Sequence, residues 1–301
     1  MKRQSLSIAI VAHNEGKIIE RCLQSCLWAN EIVVIDAGST DKTAYLAKKM
    51  KAQVYSVENQ PLMKINMNLS FEKCQSDWIF SLDADERITS QLQEEIKKVI
   101  NSGSNYVAYR IPRKNIIFGK WIQHTGWYPD YQIRLFRKGK GRFLAKNVHE
   151  LLTVDGPIGT LRNDIKHLHY QSVSEFIEKL NRYTDIEAEK LIKEKQMVTW
   201  KDALVFPMNE FLSRFFARQG YKDGLHGFVL SLLMAFYWEI VFTKVWERKE
   251  NFRDITPDNF LSEVLKEFSK AARDIKYWIY EVLIRENPVK KIYYKIRREL
   301  R

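Results

Sequence analysis

The chain has 301 residues, 45% of them apolar and 13% aromatic, enough to bury a real core, which excludes a disordered chain. Its 49 Lys and Arg against 37 Asp and Glu leave a net charge of +12, which points to an anionic partner: nucleic acid, a phospholipid surface or a phosphorylated substrate. Three cysteines, Cys22, Cys26 and Cys74, exclude a disulfide framework, no Cys/His cluster has zinc-finger spacing, and a reducing cytosol is the expected home.

The opening stretch MKRQSLSIAIVAHNEG is basic and then apolar, like a signal peptide. Its apolar run is short, however, and ends in His13-Asn14-Glu15 without a small-residue cleavage site, so export is not expected. Leu6 to Ala12 (LSIAIVA) and Glu31 to Asp36 (EIVVID) are compact β-branched runs that predict strands, and the amphipathic Lys17 to Leu27 between them predicts a helix. Cys22 and Cys26, four apart on that helix, read as core thiols. A second helix is predicted over Asp41 to Met50, capped by Ser39 or Thr40. The strand Gln53 to Ser56, a helix near Met67 to Cys74 and the strand Trp78 to Leu82 follow. Runs apolar on both faces, separated by helices, imply a parallel sheet covered on two sides: a doubly wound α/β domain.

In such sheets ligands sit beyond the carboxyl ends of the strands. Three ends here are polar: His13-Asn14-Glu15, Asp36 to Asp41 (DAGSTD), and Asp83-Ala84-Asp85-Glu86. No GxGxxG follows the first strand and no GxxxxGK[ST] occurs, so neither a dinucleotide fold nor a P-loop is supported. Asp83 and Asp85, one residue apart at a strand exit, are suited to a hard divalent cation that keeps open positions for phosphate oxygens. Without an ion the clustered carboxylates would raise one another's pKa and repel a diphosphate. The alternative is an acidic approach to a helix over Gln91 to Ile100, capped by Thr89 or Ser90.

The ordered set IVAHNEG, VVIDAGSTDKT and WIFSLDADERI resembles the inverting family 2 glycosyltransferases, which carry the nucleotide-diphospho-sugar-binding fold called GT-A. Lys114 to Glu150, with FGKWIQHTGWYPDYQIRLFRKGKGRF and NVHE, and the later KLNRYTDIEAE look like the branch of lipopolysaccharide inner-core β-1,4-glucosyltransferases. The likeness covers roughly residues 5 to 247. It implies that Ala12, Asn14 and Glu15 lie against the nucleoside and that Asp36 recognises the uracil or its ribose. Asp83 would contact ribose and metal, Asp85 would be the main ligand of Mg²⁺ or Mn²⁺, and Asn68 would lie on the donor side. Two departures stand out: Ala12 replaces a frequent proline, and Ile65-Asn66-Met67 replaces a basic or Gln-rich stretch, so a donor contact from Lys64 is not implied.

Inversion needs one more carboxylate as base. Asp130, in Trp127-Tyr128-Pro129-Asp130, matches the place where the family keeps it; a turn Asp after proline is the alternative. Arg134, four residues on, could hold phosphate bidentately. His149 could be a third metal ligand or a diphosphate donor and Glu150 an acceptor contact, with a structural pair as the equal alternative. His167 and His169, two apart in a possible strand, read as structural residues on one face.

A catalytic domain is expected over residues 1–172 and a helical region over 173–301. In EFIEKLNRYTDIEAEKLIKEK the periodicity is helical, and Asn181, Arg182 and Tyr183 sit where the resemblance places them. Residues 207–247 are dense in aromatics flanked by cations; Leu225 to Phe242 is short for a span and holds His226 and Glu239, so an interfacial element is expected, a buried helical hairpin being the alternative. The tail 285–301 (RENPVKKIYYKIRRELR) holds seven Lys or Arg against two Glu and should attract anionic lipid, by about 1 kcal/mol per cation at the surface. No nucleic-acid module accompanies the charge, so no nucleic acid is expected as partner.

The expected activity is metal-assisted, inverting transfer of a hexose, glucose first, from a UDP-sugar to a glycolipid, the lipopolysaccharide core, at the cytoplasmic face of the inner membrane. Rival acceptors are a polyprenyl phosphate, another polysaccharide or a peptide; the rival without chemistry is a basic nucleic-acid or anionic-surface binding module.

Overall fold

The structure, a computed structural model, describes residues 3–60, 63–144, 151–195 and 198–299. In chain order it contains β1 (Leu6–Ala12), α1 (Ile19–Gln24), β2 (Glu31–Ala37), α2 (Thr43–Lys49), β3 (Gln53–Val57), α3 (Met63–Lys73), β4 (Trp78–Asp83), β5 (Glu86–Ile88) and α4 (Ser90–Ile100). Then come β6 (Ala108–Ile117), β7 (Lys120–Trp121), β8 (Asp130–Arg137), β9 (Gly141–Arg142), β10 (Thr153–Val154), β11 (Ile158–Thr160) and β12 (Ile165–Leu168). The helices α5 (Val173–Lys193), α6 (Asp202–Leu212), α7 (Leu225–Glu250), α8 (Phe260–Glu286) and α9 (Lys291–Glu299) complete it. Two compact units result: one of Met1–Ile116 with Tyr128–His169, the other of Ile117–Trp127 with Tyr170–Arg301.

The sheet of the first unit runs β3-β2-β1-β4-β8-β6-β12-β5, with β11 also beside β6. Its first four strands pair in parallel. β8 then lies antiparallel to both β4 and β6, and β12 is parallel to β6 and antiparallel to β5. The sheet is thus mixed with parallel pairs in the majority, and helices cover its parallel half. All seven residues of β1 are buried. Leu6, Ile8 and Ile10 join Leu23 of α1 and Leu92, Ile96 and Ile100 of α4 in one layer; Ala9 and Val11 join Met67 and Phe71 of α3 in the other. Each large side chain so covered contributes roughly 1.5–3 kcal/mol.

Cys22 and Cys26 lie in the first layer and Cys74 in the second. Burial pushes the Cys74 thiol up to about 12, consistent with inert core thiols. Thr89 caps α4, accepting from Leu92 N at 3.2 Å. At α2 the expected cap differs: Asp41 Oδ1 accepts from Thr43 N at 2.9 Å, while Ser39 and Thr40 are engaged with Asn14.

In the second unit α7 packs along α5 and α6. Phe176 and Leu180 of α5 meet Leu230 of α7 beside Ile117 and Ile122, and further along Ala188 and Leu191 meet Val241 and Val245. Asp223 is buried and gathers the 120–124 backbone, accepting from His124 N at 2.8 Å and Gln123 N at 3.2 Å. At Gly227 a Cβ would lie 1.8 Å from the carbonyl oxygen of Gly220, so only glycine lets α7 start there. α7 is one helix of 26 residues, longer than the expected apolar segment; by length and composition it could cross a membrane, a test that core helices also pass. No residue of α8 or α9 is buried.

Candidate active site

The exits of β1 and β2 are joined to each other. Asn14, with φ of 56°, donates its N–H to Ser39 Oγ at 2.9 Å and accepts at Oδ1 from Thr40 N at 2.9 Å. Glu15 N reaches Thr43 Oγ1 at 2.8 Å and Gly16 N reaches Asp41 Oδ2 at 2.9 Å. His13 Nδ1 lies 2.7 Å from the Ala37 carbonyl oxygen. Asp36 is buried, directly opposite Ala12 in the register. On the other side of β1, Val11 stands opposite Asp83, so the exits of three adjacent parallel strands converge.

At the exit of β4 two of the three carboxylates, Asp83 and Glu86, meet two arginines. Arg134 of β8 pairs through Nη2 with Asp83 and with Glu86 Oε1, the latter at 2.6 Å. Glu86 Oε2 accepts from Asp83 N at 3.0 Å, and Arg113 Nη1 of β6 stands 3.5 Å from Glu86 Oε1. Arg113 also grips Asp130 Oδ2 through Nε at 2.8 Å and Nη2 at 2.5 Å, while Gln132 donates to Asp130 Oδ1 at 2.8 Å. The sheet register makes this string possible: Arg113 lies opposite Asp130, and Asp130, Gln132 and Arg134 alternate onto one face of β8.

Burial alone would raise the Asp83 carboxyl, but the charge and hydrogen bonds of Arg134, with Arg113 beyond, hold it well below the usual carboxylate range. Glu86, wholly enclosed, is pushed upward by burial against the pull of Arg134; two carboxylates sharing one guanidinium separate in this way. At Asp130 burial is again outweighed, by Arg113 and by hydrogen bonds from Gln132 and Asn115, leaving the group below its ordinary value.

A cavity of about 460 Å³ opens beside this string, and Lys64, Arg110, Arg113 and Arg134 line it with Asp83. Arg113 and Arg134 are already paired with carboxylates, so the wall presents both signs of charge to a space of ligand size. Lys64 thus belongs to the wall, 4.3 Å from the Phe143 ring, despite the departure from the family pattern around it. Asn68, expected on the donor side, donates its amide to Phe143 O at 2.8 Å and accepts from Phe143 N at 2.9 Å, pinning the wall just past β9. Arg134, expected on phosphate, lines the cavity and pairs with Asp83 and Glu86, while its buried Nε has no acceptor among the described residues.

His149 and Glu150 lie outside the described residues. His167 and His169 share a face, their rings 4.7 Å apart. His167 nevertheless reaches the site: Nε2 is 3.3 Å from Asp85 Oδ2 and Nδ1 is 2.6 Å from Asn115 Oδ1. Arg113 carried no signal in the sequence, because it is brought beside Asp130 by the pairing of β6 with β8; Glu86 was visible in the acidic cluster, but not its place between two arginines.

Asp83 and Asp85 flank Ala84 at the strand exit, and among the described residues no three His, Cys, Asp or Glu are grouped to hold an ion unaided. That donor set fits Mg²⁺ or Mn²⁺ held by one or two carboxylates, with phosphate oxygens and water completing the shell.

The family model described as Glycosyl transferase family 2 matches residues 7–158. Among curated proteins, the Lipopolysaccharide core biosynthesis glycosyltransferase LpsC of Rhizobium meliloti (strain 1021) is 27% identical over 254 residues, covering 81% of this chain and 92% of its own. The uncharacterized glycosyltransferase RP128 of Rickettsia prowazekii (strain Madrid E) is 27% identical over 276 residues, covering 86% and 93%. Among solved structures, S. aureus TarS 1-349 aligns with a TM-score of 0.43 at 14% identity, covering 84% of this chain and 94% of that one.

Proposed function

The chain belongs to glycosyltransferase family 2, and on that premise we propose that it moves a hexose, glucose first among candidates, from a UDP-sugar to a heptose of a membrane-held lipopolysaccharide inner core, with inversion. The observation that carries this reading is the continuous ion-pair string from Asp83 through Arg134, Glu86 and Arg113 to Asp130. It sets an acidic strand exit, suited with a divalent cation to a nucleotide diphosphate, beside a carboxylate suited to be a base. LpsC, named for lipopolysaccharide core biosynthesis, supports the acceptor class.

The acceptor hydroxyl gives its proton to Asp130 while its oxygen bonds to the sugar's anomeric carbon; on the opposite face the bond to the diphosphate oxygen breaks, and UDP leaves with the electron pair. Arg113 and Gln132 orient Asp130 and keep it ionised at neutral pH. Ala12, Asn14 and Glu15 form the nucleoside wall, and Asp36 addresses uracil or ribose. Asp85 and Asp83 are the residues to hold Mg²⁺ or Mn²⁺, which when bound neutralises charge on the departing diphosphate. The place of work is the cytoplasmic face of the inner membrane, held there by the aromatic α7 segment and the basic tail.

Calorimetry and hydrolysis of a panel of UDP-sugars, with and without Mg²⁺ or Mn²⁺, test the reading. Ion-dependent uptake and hydrolysis of one sugar is expected; no uptake of any UDP-sugar under either condition overturns it.

A further inference from the structure

α8 is a helix of 27 residues, none of them buried. Leu261, Leu265, Phe268, Ala272, Ile275 and Ile279 follow one another at intervals of four and three, which at 100° per residue places them on one stripe. Four of them are strongly exposed: Leu261 at 71%, Leu265 at 57%, Phe268 at 52% and Ile279 at 45%. Monomeric proteins seldom leave a contiguous apolar face of this kind to water.

The charges of α8 are segregated around that stripe. Four of its five acids pair with cations outside the helix: Glu263 and Glu267 with Lys201 beside α6 at 3.2 and 3.4 Å, Glu281 with Arg298 of α9, and Glu286 with Lys222 at 3.3 Å. Arg273 and Lys276, each one position past a stripe residue, stand along its edge. A second copy of the helix would bring these cations together. On its other side the stripe gives way to Ala271, which lines a cavity with Leu204, Val205 and Met208 of α6, so the open face is the stripe itself. Two further helices of the unit show apolar side chains to solvent: α7 at Leu225, Leu232 and Phe236, and α9 at Ile292 and Ile296 between Lys291, Lys295 and Arg297. A lipid surface accepts several such helices, whereas one partner helix covers one.

We propose that α8 lies in the headgroup layer of an anionic bilayer, with Leu261, Leu265, Phe268 and Ile279 inserted and Arg273 and Lys276 at phosphate depth. The inference rests on the reading above only in taking the acceptor to be membrane-held, and it identifies the face that meets the membrane.

The full chain should float with vesicles of equal parts phosphatidylcholine and phosphatidylglycerol, and weakly with phosphatidylcholine alone. The double variant Leu265→Glu with Phe268→Glu should lose vesicle affinity by roughly a hundredfold while its thermal melt matches the parent. Arg273→Glu with Lys276→Glu should weaken the preference for the anionic vesicles, the basic tail keeping the remainder. Unchanged flotation of the Leu265/Phe268 variant overturns the inference. So does a chain that ignores vesicles and sediments as a dimer which the same substitutions dissociate, for then a second copy covers the stripe. Vesicle binding lost as expected by a chain that takes up no UDP-sugar leaves this inference standing and removes the donor reading instead.

Discussion

Both units have apolar cores, but they differ in where they keep charge and where they leave apolar side chains uncovered. In the first, charge is inside: Glu86 is fully enclosed and Arg134 is 7% exposed, both beneath a sheet whose apolar strands are covered on two faces. In the second, apolar side chains are outside, and the acids of α8 face inward to Lys201 and Arg298. The difference teaches that amphipathicity reports a face in want of cover without naming the cover. α4 and α8 show it directly: α4 hides Leu92, Ile96 and Ile100 against β-strands, while the stripe of α8 stays open.

Replacing groups on either side of that contrast should have very unequal effects. The largest is chemical: Asp85→Ala should abolish donor turnover, and Asp130→Asn should lower transfer by about 10²–10⁴-fold while UDP binding measured by calorimetry persists. A near-normal rate for Asp130→Asn removes it as the base. Next comes stability. Arg134→Ala strands Glu86 without its closest cation and should cost about 3–5 kcal/mol in denaturant unfolding, whereas Arg134→Met combined with Glu86→Leu should cost less than that single change. Ile96→Ala in α4 should cost about 2–5 kcal/mol, and Leu265→Ala in α8 no more than about 0.5 kcal/mol in vesicle-free buffer. A large loss at Leu265 would mean that α8 is covered within the chain.

The smallest effect is on pH. Asp83 and Asp130 have folded pKa values below those of the unfolded chain, so their stabilisation is complete above the ordinary carboxylate value, about 3.9, and drains away as pH falls through the folded values. Arg113→Gln removes one cause of the depression at Asp130. The acid limb of the transfer rate should therefore shift to higher pH; an unmoved limb would show that Arg113 does not tune that carboxylate.

The parallel half of the sheet was legible because its strands are buried on both faces and read as uninterrupted apolar runs. β6 and β8 were not, since each gives one face to the site: Asp130, Gln132 and Arg134 alternate with apolar residues, and Pro112 and Arg113 interrupt β6. The same alternation that hides β8 as a strand builds the ion-pair string. The acidic exit at Asp83 and Asp85 could be read from the chain, but its counter-ions could not, as Arg113 and Arg134 are brought to it only by strand pairing. In the helical unit the periodicity located α5 and the apolar start of α7, whereas the inward turn of the α8 acids depends on partners distant in sequence.

The bonds that tie Asn14 to Ser39 and Thr40, Glu15 to Thr43 and Gly16 to Asp41 splice two separate loops into a single rigid rim. Ordering a side chain on binding costs about 0.5–1.5 kcal/mol, and here that ordering is complete before any visitor arrives. On the proposed donor reading the rim is a mould already set, and selectivity among nucleosides would follow from its shape and not from how readily it yields.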